Sequence, residues 1–409
     1  MNRTVVLHFS TYSPYLLARL KACQELNTLN VIGLEATERN HASQTFFDTS
    51  ADARAAVRLR TACPGQAYLE VPTRTLWAAL HRGLDELNPA AVAVPAWSTR
   101  STLAILSWCL KRGRPAITMS DSMYSDKPRV FWVEAVKRRV VRCFASAVVG
   151  SAAQREYLSC LGMRLDQTVL GYNVIDNSYF SAGAAAARQD ADAVRNALKL
   201  PQDYFLASGR FIPVKNLFGL LSEYALYLQS PADKKAKLAI IGDGPLRHAL
   251  TERIQELNLA GHVFLLGKKT YAELPALYAL ARAFVLASTK ETWGLVVNEA
   301  MASGLPVIVS DRCGCAPHLV SPGVNGFIFS PSKRGDLAAR LADLSKDSAA
   351  VARMGQQSQA IIASWSPELF ATALEEAFRL ALSEPRFRGG WADRLLLSAL
   401  SRRKEGEPE

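Results

Sequence analysis

Short apolar segments alternate with amphipathic helical patterns along the whole sequence, and this alternation constrains the fold more than any other feature. In the first half the predicted strands are Thr4–Phe9, Val31–Ala36, Ala91–Ala96, Ala116–Ser120 and Ser146–Gly150. In the second half they are Tyr204–Gly209, Lys237–Gly242, Val263–Gly267, Ala283–Ser288, Pro306–Ser310 and Gly326–Ser330. Strands that are apolar throughout and separated by helices are typical of parallel sheets covered on both faces. The sequence therefore predicts an α/β fold.

The chain of 409 residues is too long for one ordinary core, and we predict two doubly wound domains in tandem. The N-terminal domain is expected over 1–180, a linker over 181–200 and the C-terminal domain over 201–365. Residues 366–385 are predicted to form a helix that returns to the N-terminal domain, and 386–409 a basic, polar tail. Because ligands bind outside the carboxyl ends of the strands in such sheets, two sheet edges that face each other would enclose a cleft.

Composition restricts the class of protein. Hydrophobic residues make up 49% and charged residues 21%, which is typical of a globular chain. The seven cysteines are odd in number and scattered without a CxxC pair, which favours reduced thiols in a cytoplasm over a disulfide scaffold or a zinc site. The net charge of +11 suits anionic lipids, phosphorylated substrates or nucleic acid. Because no nucleic-acid-binding module is recognisable, we do not expect nucleic acid as a partner.

The first candidate motif follows a predicted strand and opens a helix, over Ser208–Asn216. Gly209 permits a tight turn, and Arg210 and Lys215 leave the strand end together, near the free N–H groups of a helix N-terminus. Two cations in this position suit a diphosphate. The alternative is that both are surface cations of an ordinary loop.

The second motif, Ile241–Pro245, places Gly242, Asp243 and Gly244 at another strand end. Two glycines there would let a ligand approach the backbone closely. Taken alone, a plain strand-to-helix turn explains the motif equally well.

The third motif contains two glutamates, Glu291 and Glu299, separated by seven residues. Glu291 lies in the loop after the predicted strand Ala283–Ser288, Gly294 and Leu295 begin a helix, and Glu299 lies about one turn into it. Helix N-terminal amides bind phosphate, and a carboxylate accepts hydrogen bonds from two sugar hydroxyls at once. The alternative is two ordinary glutamates, one of them exposed on a helix.

In order and spacing, these motifs resemble the retaining nucleotide-sugar glycosyltransferases of family 4, which have the GT-B fold. The resemblance covers roughly 204–330 and includes the strand that ends at Gly267 and the segment Ala302–Val307. It implies transfer of a sugar from a UDP-, GDP- or ADP-sugar to a hydroxyl, in polysaccharide or glycolipid assembly. It implies no metal and no cofactor, since cationic side chains and helix dipoles replace magnesium.

The resemblance also implies roles for individual residues. Arg210 and Lys215 would bind the diphosphate and stabilise it as a leaving group, Glu291 would contact the transferred sugar, and Glu299 would hold the ribose. The donor-binding set that it implies is Gly209, Gly242, Asp243, Gly267, Lys268, Thr292, Gly294, Leu295 and Glu299.

The sequence departs from the family pattern at two places. Where the family often has a histidine in the N-terminal domain, this chain has Asp121, which we predict as an acceptor contact or proton acceptor; a turn or helix-cap role is the alternative. Where a family glutamate is usual, His318 occupies or neighbours the position, either in the site or as a simple loop residue. His8, at the end of the first strand, is a further candidate for acceptor contact, or a structural hydrogen-bonding group.

A basic helix with an aromatic start is predicted within 127–144. Such a helix can lie on an anionic membrane or bind the phosphates of a lipid-linked acceptor. The alternative is a helix packed on the sheet with a solvated basic face. The second function that the sequence allows is a non-catalytic GT-B-fold binding protein that acts at a membrane or on an anionic partner.

Overall fold

The structure is a computed structural model that describes residues 3–39, 50–231, 235–383 and 390–402. It divides into two compact units. Unit 1 comprises Met1–Val174 and Pro367–Glu409, and unit 2 comprises Ile175–Ser366. Part of the expected tail, 386–389 and 403–409, lies outside the described residues.

Unit 1 contains a parallel sheet in the order β3-β2-β1-β4-β5-β6-β7. Its strands are β1 (Thr4–Phe9), β2 (Asn30–Glu35), β3 (Leu59–Thr61), β4 (Ala91–Pro95), β5 (Ala116–Ser120), β6 (Ser146–Val149) and β7 (Thr168–Leu170). Both faces of the sheet are covered, because alternate residues of β1 enter different apolar clusters: Val6 on one side, Val5 and Leu7 on the other.

Helices cover the two faces of this sheet. They are α1 (Pro14–Glu25), α2 (Ala51–Ala55), α3 (Thr73–Leu87), α4 (Arg100–Arg112), α5 (Phe131–Val141) and α6 (Ala152–Cys160), together with α16 (Pro367–Ser383) and α17 (Trp391–Ser401) from the C-terminal segment. The apolar face of α16, with Phe370 and Leu374, is buried in the same cluster as Val5 and Leu7.

Unit 2 contains a second parallel sheet in the order β10-β9-β8-β11-β12-β13. Its strands are β8 (Tyr204–Ser208), β9 (Lys237–Ile241), β10 (Val263–Gly267), β11 (Ala283–Leu286), β12 (Val307–Ser310) and β13 (Gly326–Phe329). Its helices are α7 (Asn177–Gln189), α8 (Ala191–Leu198), α9 (Leu217–Leu228), α10 (Arg247–Glu256), α11 (Leu274–Ala279), α12 (Leu295–Ala302), α13 (Ala316–Leu319), α14 (Asp336–Lys346) and α15 (Ser348–Ile362).

The predicted α/β class with two doubly wound sheets is confirmed, and each predicted strand is present with ends that differ by at most two residues. The sequence patterns missed β3 and β7, because three-residue edge strands are too short to produce an apolar run. The structure also differs over 181–200: instead of a linker, this stretch forms most of α7 and all of α8 within unit 2. Two of its alanines are buried there, Ala184 and Ala187, and Ala184 is fully inaccessible.

Candidate active site

The strand order of unit 2 reverses between β8 and β11, which are neighbours in the sheet. The chain builds outward from β8 through β9 and β10 on one side and from β11 through β12 and β13 on the other. At such a switch point the following segments separate and leave a crevice at the carboxyl ends of the strands. Lys215 follows β8 and Glu291 follows β11, so both candidates come from the two strands that border this position.

Lys215 and Glu291 are in direct contact. The Nζ atom of Lys215 donates a hydrogen bond to Oε2 of Glu291, and each side chain is 18% exposed. Ser288 Oγ donates a second hydrogen bond of 3.2 Å to the same carboxylate oxygen. Two residues that lie far apart in the sequence therefore form a partly buried ion pair at the switch point.

The loop after β8 is shaped around the Lys215 side chain. Lys215 ends a single 3₁₀ turn, Pro213–Lys215, and the backbone N–H of Thr289 donates a 2.9 Å hydrogen bond to Val214, which joins this loop to the loop after β11. A Cβ atom on Gly209 would lie 3.3 Å from Lys215 Cδ. The aliphatic stem of Lys215 therefore lies over Gly209, where only a glycine leaves room without displacement.

The backbone of Glu291 is held by the segment after β12. Its N–H donates to Arg312 O at 3.2 Å, and its carbonyl accepts from Gly314 N at 3.0 Å. A Cβ atom on Gly314 would lie 2.1 Å from Thr292 O, so the two loops approach more closely than any larger residue permits. This pairing holds the backbone at Glu291 in place before any ligand arrives.

In the second motif, the packing of the surrounding backbone explains why position 242 is a glycine. Gly242 has a φ of +136°, and a Cβ atom there would lie 1.9 Å from Gly209 O. The intervening carbonyl, that of Asp243, accepts a 2.9 Å hydrogen bond from Phe211 N. Close contact between the loops after β8 and β9 therefore explains Gly242 without a ligand.

The N-terminus of α12 lies at the same end of the sheet. Its cap, Gly294, has a φ of +102°, which an L side chain adopts only with strain. A Cβ atom there would also lie 2.8 Å from Leu286 Cδ2. Because the first amides of a helix have no partner within the helix, Leu295 and its neighbours direct N–H groups and the positive end of the dipole toward this region.

Glu299 lies one turn further along α12 and is only 2% exposed. The hydroxyl of Tyr278, on α11, donates a 2.7 Å hydrogen bond to Glu299 Oε2. Burial and the neighbouring carboxylate raise the pKa of Tyr278 well above its ordinary value, so the phenol remains a donor. The second glutamate is therefore a buried, oriented acceptor and not an exposed helix residue.

The remaining donor-side candidates lie on loops at the carboxyl ends of the strands. Arg210 and Lys268 are exposed, and Thr292 is half-buried. Gly267 ends β10 with a φ of +73°, and its carbonyl accepts a 3.0 Å hydrogen bond from Gly242 N. The structure thus brings the loops after β8, β9, β10 and β11 together at one edge of unit 2.

His318 lies on α13 and belongs to an aromatic cluster. Its ring is stacked on Trp293 at a centroid distance of 5.7 Å and an interplanar angle of 23°, and Trp365 contacts both rings. Burial lowers the pKa of His318 from its ordinary value, which favours the neutral ring. Trp293 is itself tied to α12 through Asn298, whose Oδ1 accepts from Trp293 Nε1 at 3.0 Å.

In unit 1, His8 is fully buried at the carboxyl end of β1. Its Nδ1 atom lies 2.8 Å from Leu34 O, which requires a proton on Nδ1. Burial lowers the pKa of His8 to about 4, so the ring is neutral near pH 7. Its Nε2 atom is a buried acceptor with no hydrogen-bond partner among the described residues.

Asp121 follows β5 in unit 1 and is exposed. Its charge acts on two buried neighbours, Arg19 and Tyr172. Burial, with Asp121 as a smaller contribution, raises the pKa of Tyr172 to about 12. Arg19 stacks 4.9 Å from the Tyr172 ring centroid and donates to Val174 O at 2.9 Å. Asp121 therefore lies in the field of a fixed guanidinium.

Sequence reasoning missed three residues that orient the candidates. Ser288 and Tyr278 bind the two glutamates, and Arg19 lies near Asp121. Only Ser288 carried a signal, as a polar residue that ends an apolar strand pattern. Tyr278 and Arg19 lie on helices, and their spacing in the sequence does not indicate which carboxylate each of them approaches.

The sequence model of the family described as "Glycosyl transferases group 1" matches residues 189–360, which lie entirely within unit 2. Over these residues the chain is similar to group 1 glycosyl transferases. The chain is 38% identical over 125 residues to the sulfoquinovosyl transferase SQD2 of Arabidopsis thaliana, covering 29% of this chain and 24% of that protein. The chain is also 26% identical over 193 residues to the alpha-monoglucosyldiacylglycerol synthase of Acholeplasma laidlawii, covering 46% of this chain and 47% of that protein. The chain thus spans less than half the length of these relatives.

Solved structures align with nearly the whole chain and confirm the GT-B fold. Anabaena HepE in complex with UDP and glucose aligns with a TM-score of 0.69 at 18% identity, over 92% of this chain and 100% of that one. An Escherichia coli structure titled as trehalose-6-phosphate with UDP-2-fluoro glucose aligns with a TM-score of 0.71 at 12% identity, over 94% and 100%.

Within residues 3–39, 50–231, 235–383 and 390–402, no three His, Cys, Asp or Glu side chains converge as a set of metal ligands. No helix in the same ranges is both long and apolar enough to cross a bilayer.

Proposed function

We propose that this chain is a retaining glycosyltransferase that moves a sugar from a nucleoside-diphosphate sugar to a hydroxyl acceptor. The observation that carries the proposal is the Lys215–Glu291 ion pair at the switch point of unit 2. A cation for the leaving group and a carboxylate for the sugar stand side by side there, next to the N-terminus of α12. The names of the similar proteins support a sugar nucleotide as donor.

In this proposal, Lys215 and Arg210 neutralise the charge that grows on the diphosphate as the bond from the anomeric carbon to the phosphate oxygen breaks. The electron pair of that bond stays on the phosphate oxygen. The amides at the start of α12 stabilise the same charge. Glu291 exchanges its contact with Lys215 for hydroxyls of the transferred sugar, which places the anomeric carbon beside the leaving group.

The acceptor oxygen then forms its bond to the anomeric carbon on the face that the diphosphate leaves. The acceptor proton passes to the departing phosphate oxygen, so the step balances without a separate strong base. Retention is supported by the resemblance of the Glu291–Glu299 element to retaining enzymes. Glu299, held by Tyr278, is proposed to receive the ribose hydroxyls. Metal independence is proposed because Lys215, Arg210 and the helix dipole supply the positive charge.

On the acceptor side, we propose His8 and Asp121 as contacts, and His318 as a residue that borders the reacting sugar through its stacking on Trp293. His8 fits a hydroxyl donor, since its Nε2 lone pair is unprotonated. The diacylglycerol relative supports a lipid-linked acceptor. We further propose that the chain works in the cytoplasm at the inner face of a membrane, which α5 contacts.

The competing function is a GT-B-fold binding protein without catalysis. The contacts of Lys215, Glu291 and Glu299 weigh against it, because a protein without catalysis has no need to hold two carboxylates and a cation in partly or fully buried contacts at a switch point. The two proposals share donor binding, and they differ in whether a bound donor turns over.

The deciding experiment begins with thermal shifts of the full chain against UDP-, GDP- and ADP-sugars in chelator, starting with UDP-glucose. A ligand that binds only the folded state raises the melting temperature. Turnover is then measured as nucleoside diphosphate release with a diacylglycerol acceptor, and the anomeric configuration of the product is read by NMR. An inverted product contradicts retention, and strict dependence on a divalent cation contradicts metal independence.

The variants Lys215→Ala and Glu291→Gln separate the two functions. Each is expected to lower kcat by about a hundredfold to a thousandfold, since each removes charge that acts in the transition state. Lys346→Ala and Glu252→Gln are matched controls on exposed helix faces of the same unit. A donor-induced thermal shift without turnover in the wild-type chain, with every acceptor tested, would favour the binding protein.

A further inference from the structure

The large exposed apolar side chains of unit 1 concentrate on two helices. At the start of α5, Phe131 is 78% exposed and Trp132 is 72% exposed. On α17, Trp391 is 77% exposed and Leu395 is 60% exposed. Aromatic rings that remain in water lose the stabilisation that burial would provide. Several such rings on one surface are therefore typical of an interaction site.

The aromatic start of α5 is presented on a firmly held helix. Glu134 accepts hydrogen bonds from Lys137 Nζ at 2.8 Å and from Tyr157 Oη at 3.0 Å, and both of these partners are partly or fully buried. These contacts, together with the one between Lys137 and Tyr157, fix α5 against α6. Phe131 and Trp132 therefore remain exposed at the start of a helix that is held in place.

The C-terminal helix α17 also has one buried face and one exposed face. Its inner face carries Leu396, Leu397 and Leu400, which pack against the apolar core of unit 1. The outer face carries Trp391, with Arg394 and Leu395 three and four residues later, so these side chains lie one above the other. An exposed indole beside an arginine is typical of helices that lie in the interface of a bilayer.

An ion pair joins the two helices. Arg139 Nε, on α5, donates a 2.7 Å hydrogen bond to Asp393 Oδ1, on α17. The carboxylate is 13% exposed and the guanidinium 51% exposed. Because Asp393 lies two residues from Trp391, the pair fixes the beginning of α17, where the indole lies, against α5.

We propose that α5 and α17 together form one membrane-docking surface, in which α17 inserts Trp391 and Leu395 beside Phe131 and Trp132. This inference rests on the proposed contact between α5 and a membrane, and it adds a second element to it. The occupant is an anionic bilayer. Exposed arginines lie on or directly after the same two helices, and in this proposal their stems lie along the apolar region while their charges reach lipid phosphates. These are Arg138 on α5, Arg142 at the C-cap of α5 and Arg394 on α17.

The test uses the full chain and vesicles of phosphatidylcholine with or without phosphatidylglycerol, both prepared with brominated acyl chains that quench tryptophan at contact depth. Trp132→Phe and Trp391→Phe are each expected to remove part of the quenched fluorescence. Trp391→Ala is expected to weaken binding to anionic vesicles roughly tenfold, since most of a side chain's apolar surface is lost from the interface. Leu170→Ala, which changes an exposed apolar residue of β7, is the control that leaves binding unchanged.

The outcomes separate the role of α17 from the membrane contact through α5. If Trp132→Phe loses all of the quenching and Trp391→Phe loses none, the role of α17 is wrong while the contact through α5 stands. If the wild-type chain binds neither kind of vesicle, the membrane contact itself is wrong. The same conclusion follows if light scattering shows that these residues serve only to form a dimer. In that case glycosyl transfer with a water-soluble acceptor still tests the proposed reaction independently.

Discussion

The hydroxyl of Tyr278 lies 2.7 Å from a carboxylate oxygen of Glu299, in a part of unit 2 where both side chains are almost inaccessible to water. Tyr278→Phe removes this donor and leaves a buried carboxylate with one partner fewer. The free energy of unfolding is expected to fall by about 1–3 kcal/mol. The donor KM is expected to rise as well, because Glu299 is no longer oriented. Urea unfolding and initial rates measure the two effects.

The matched control is Tyr204→Phe. That hydroxyl is also buried, but it donates to the backbone carbonyl of Leu277 at 2.7 Å. The control is expected to lose stability without a change in donor KM. Equal changes in KM for both variants would show that Tyr278 affects the donor only through general stability.

Gly242→Ala should disrupt the contact between the loops after β8 and β9. The new Cβ would lie 1.9 Å from Gly209 O, and the residue already has a φ of +136°. We expect a destabilisation of more than about 1–3 kcal/mol, the range for backbone strain alone, because the loop that carries Arg210 must also move. Gly261→Ala is the comparison, since its φ is +74° but a Cβ meets open space. Similar melting temperatures for the two variants would contradict the steric explanation.

His8 makes the folding of unit 1 sensitive to acid. Burial lowers its folded-state pKa to about 4 from an ordinary value of 6.5, so between these values the unfolded chain binds more protons. The stabilisation is complete above pH 6.5 and is lost as the pH falls toward 4, by about 3 kcal/mol in total.

His8→Asn retains a donor near Leu34 O but does not titrate, so the slope of unfolding free energy between pH 6.5 and 4 should become shallower. His248→Asn, at an exposed position on α10, provides the control and should retain the wild-type slope. The measurement is urea unfolding across this pH range. An unchanged slope in the His8 variant would show that another group causes the acid sensitivity.

Lys137 differs in its contacts from Arg138 and from Arg142, the C-cap residue of α5. Lys137 is bound to Glu134 and Tyr157, so Lys137→Ser is expected to lower stability with little effect on vesicle binding. Arg138 and Arg142 are exposed, and their joint replacement by serine should weaken binding to anionic vesicles while stability is retained. Cosedimentation and thermal unfolding of both variants test this division. The reverse pattern would support the alternative of a helix with a merely solvated basic face.

The sequence predicted the sheets well because buried parallel strands leave long apolar runs. It also located Lys215 and Glu291 through their places after two such runs. It could not show that Gly242 avoids the carbonyl of Gly209, because that approach depends on the distance between two loops. Lys137 illustrates the same limit, since a cation that binds a half-buried glutamate and a cation in solvent look identical in a sequence.

The pairing of Lys215 with Glu291 has a consequence for selectivity. In the proposed site, Glu291 binds the same lysine that is expected to bind the donor phosphates. A weakly charged solute would have to displace this carboxylate from Lys215 without forming an equally strong contact of its own. A sugar nucleotide brings two phosphates for the lysine and, in the same molecule, hydroxyls that satisfy the displaced glutamate. Under the proposed function, we therefore expect the ion pair to select against simple anions and in favour of a ligand that carries both groups.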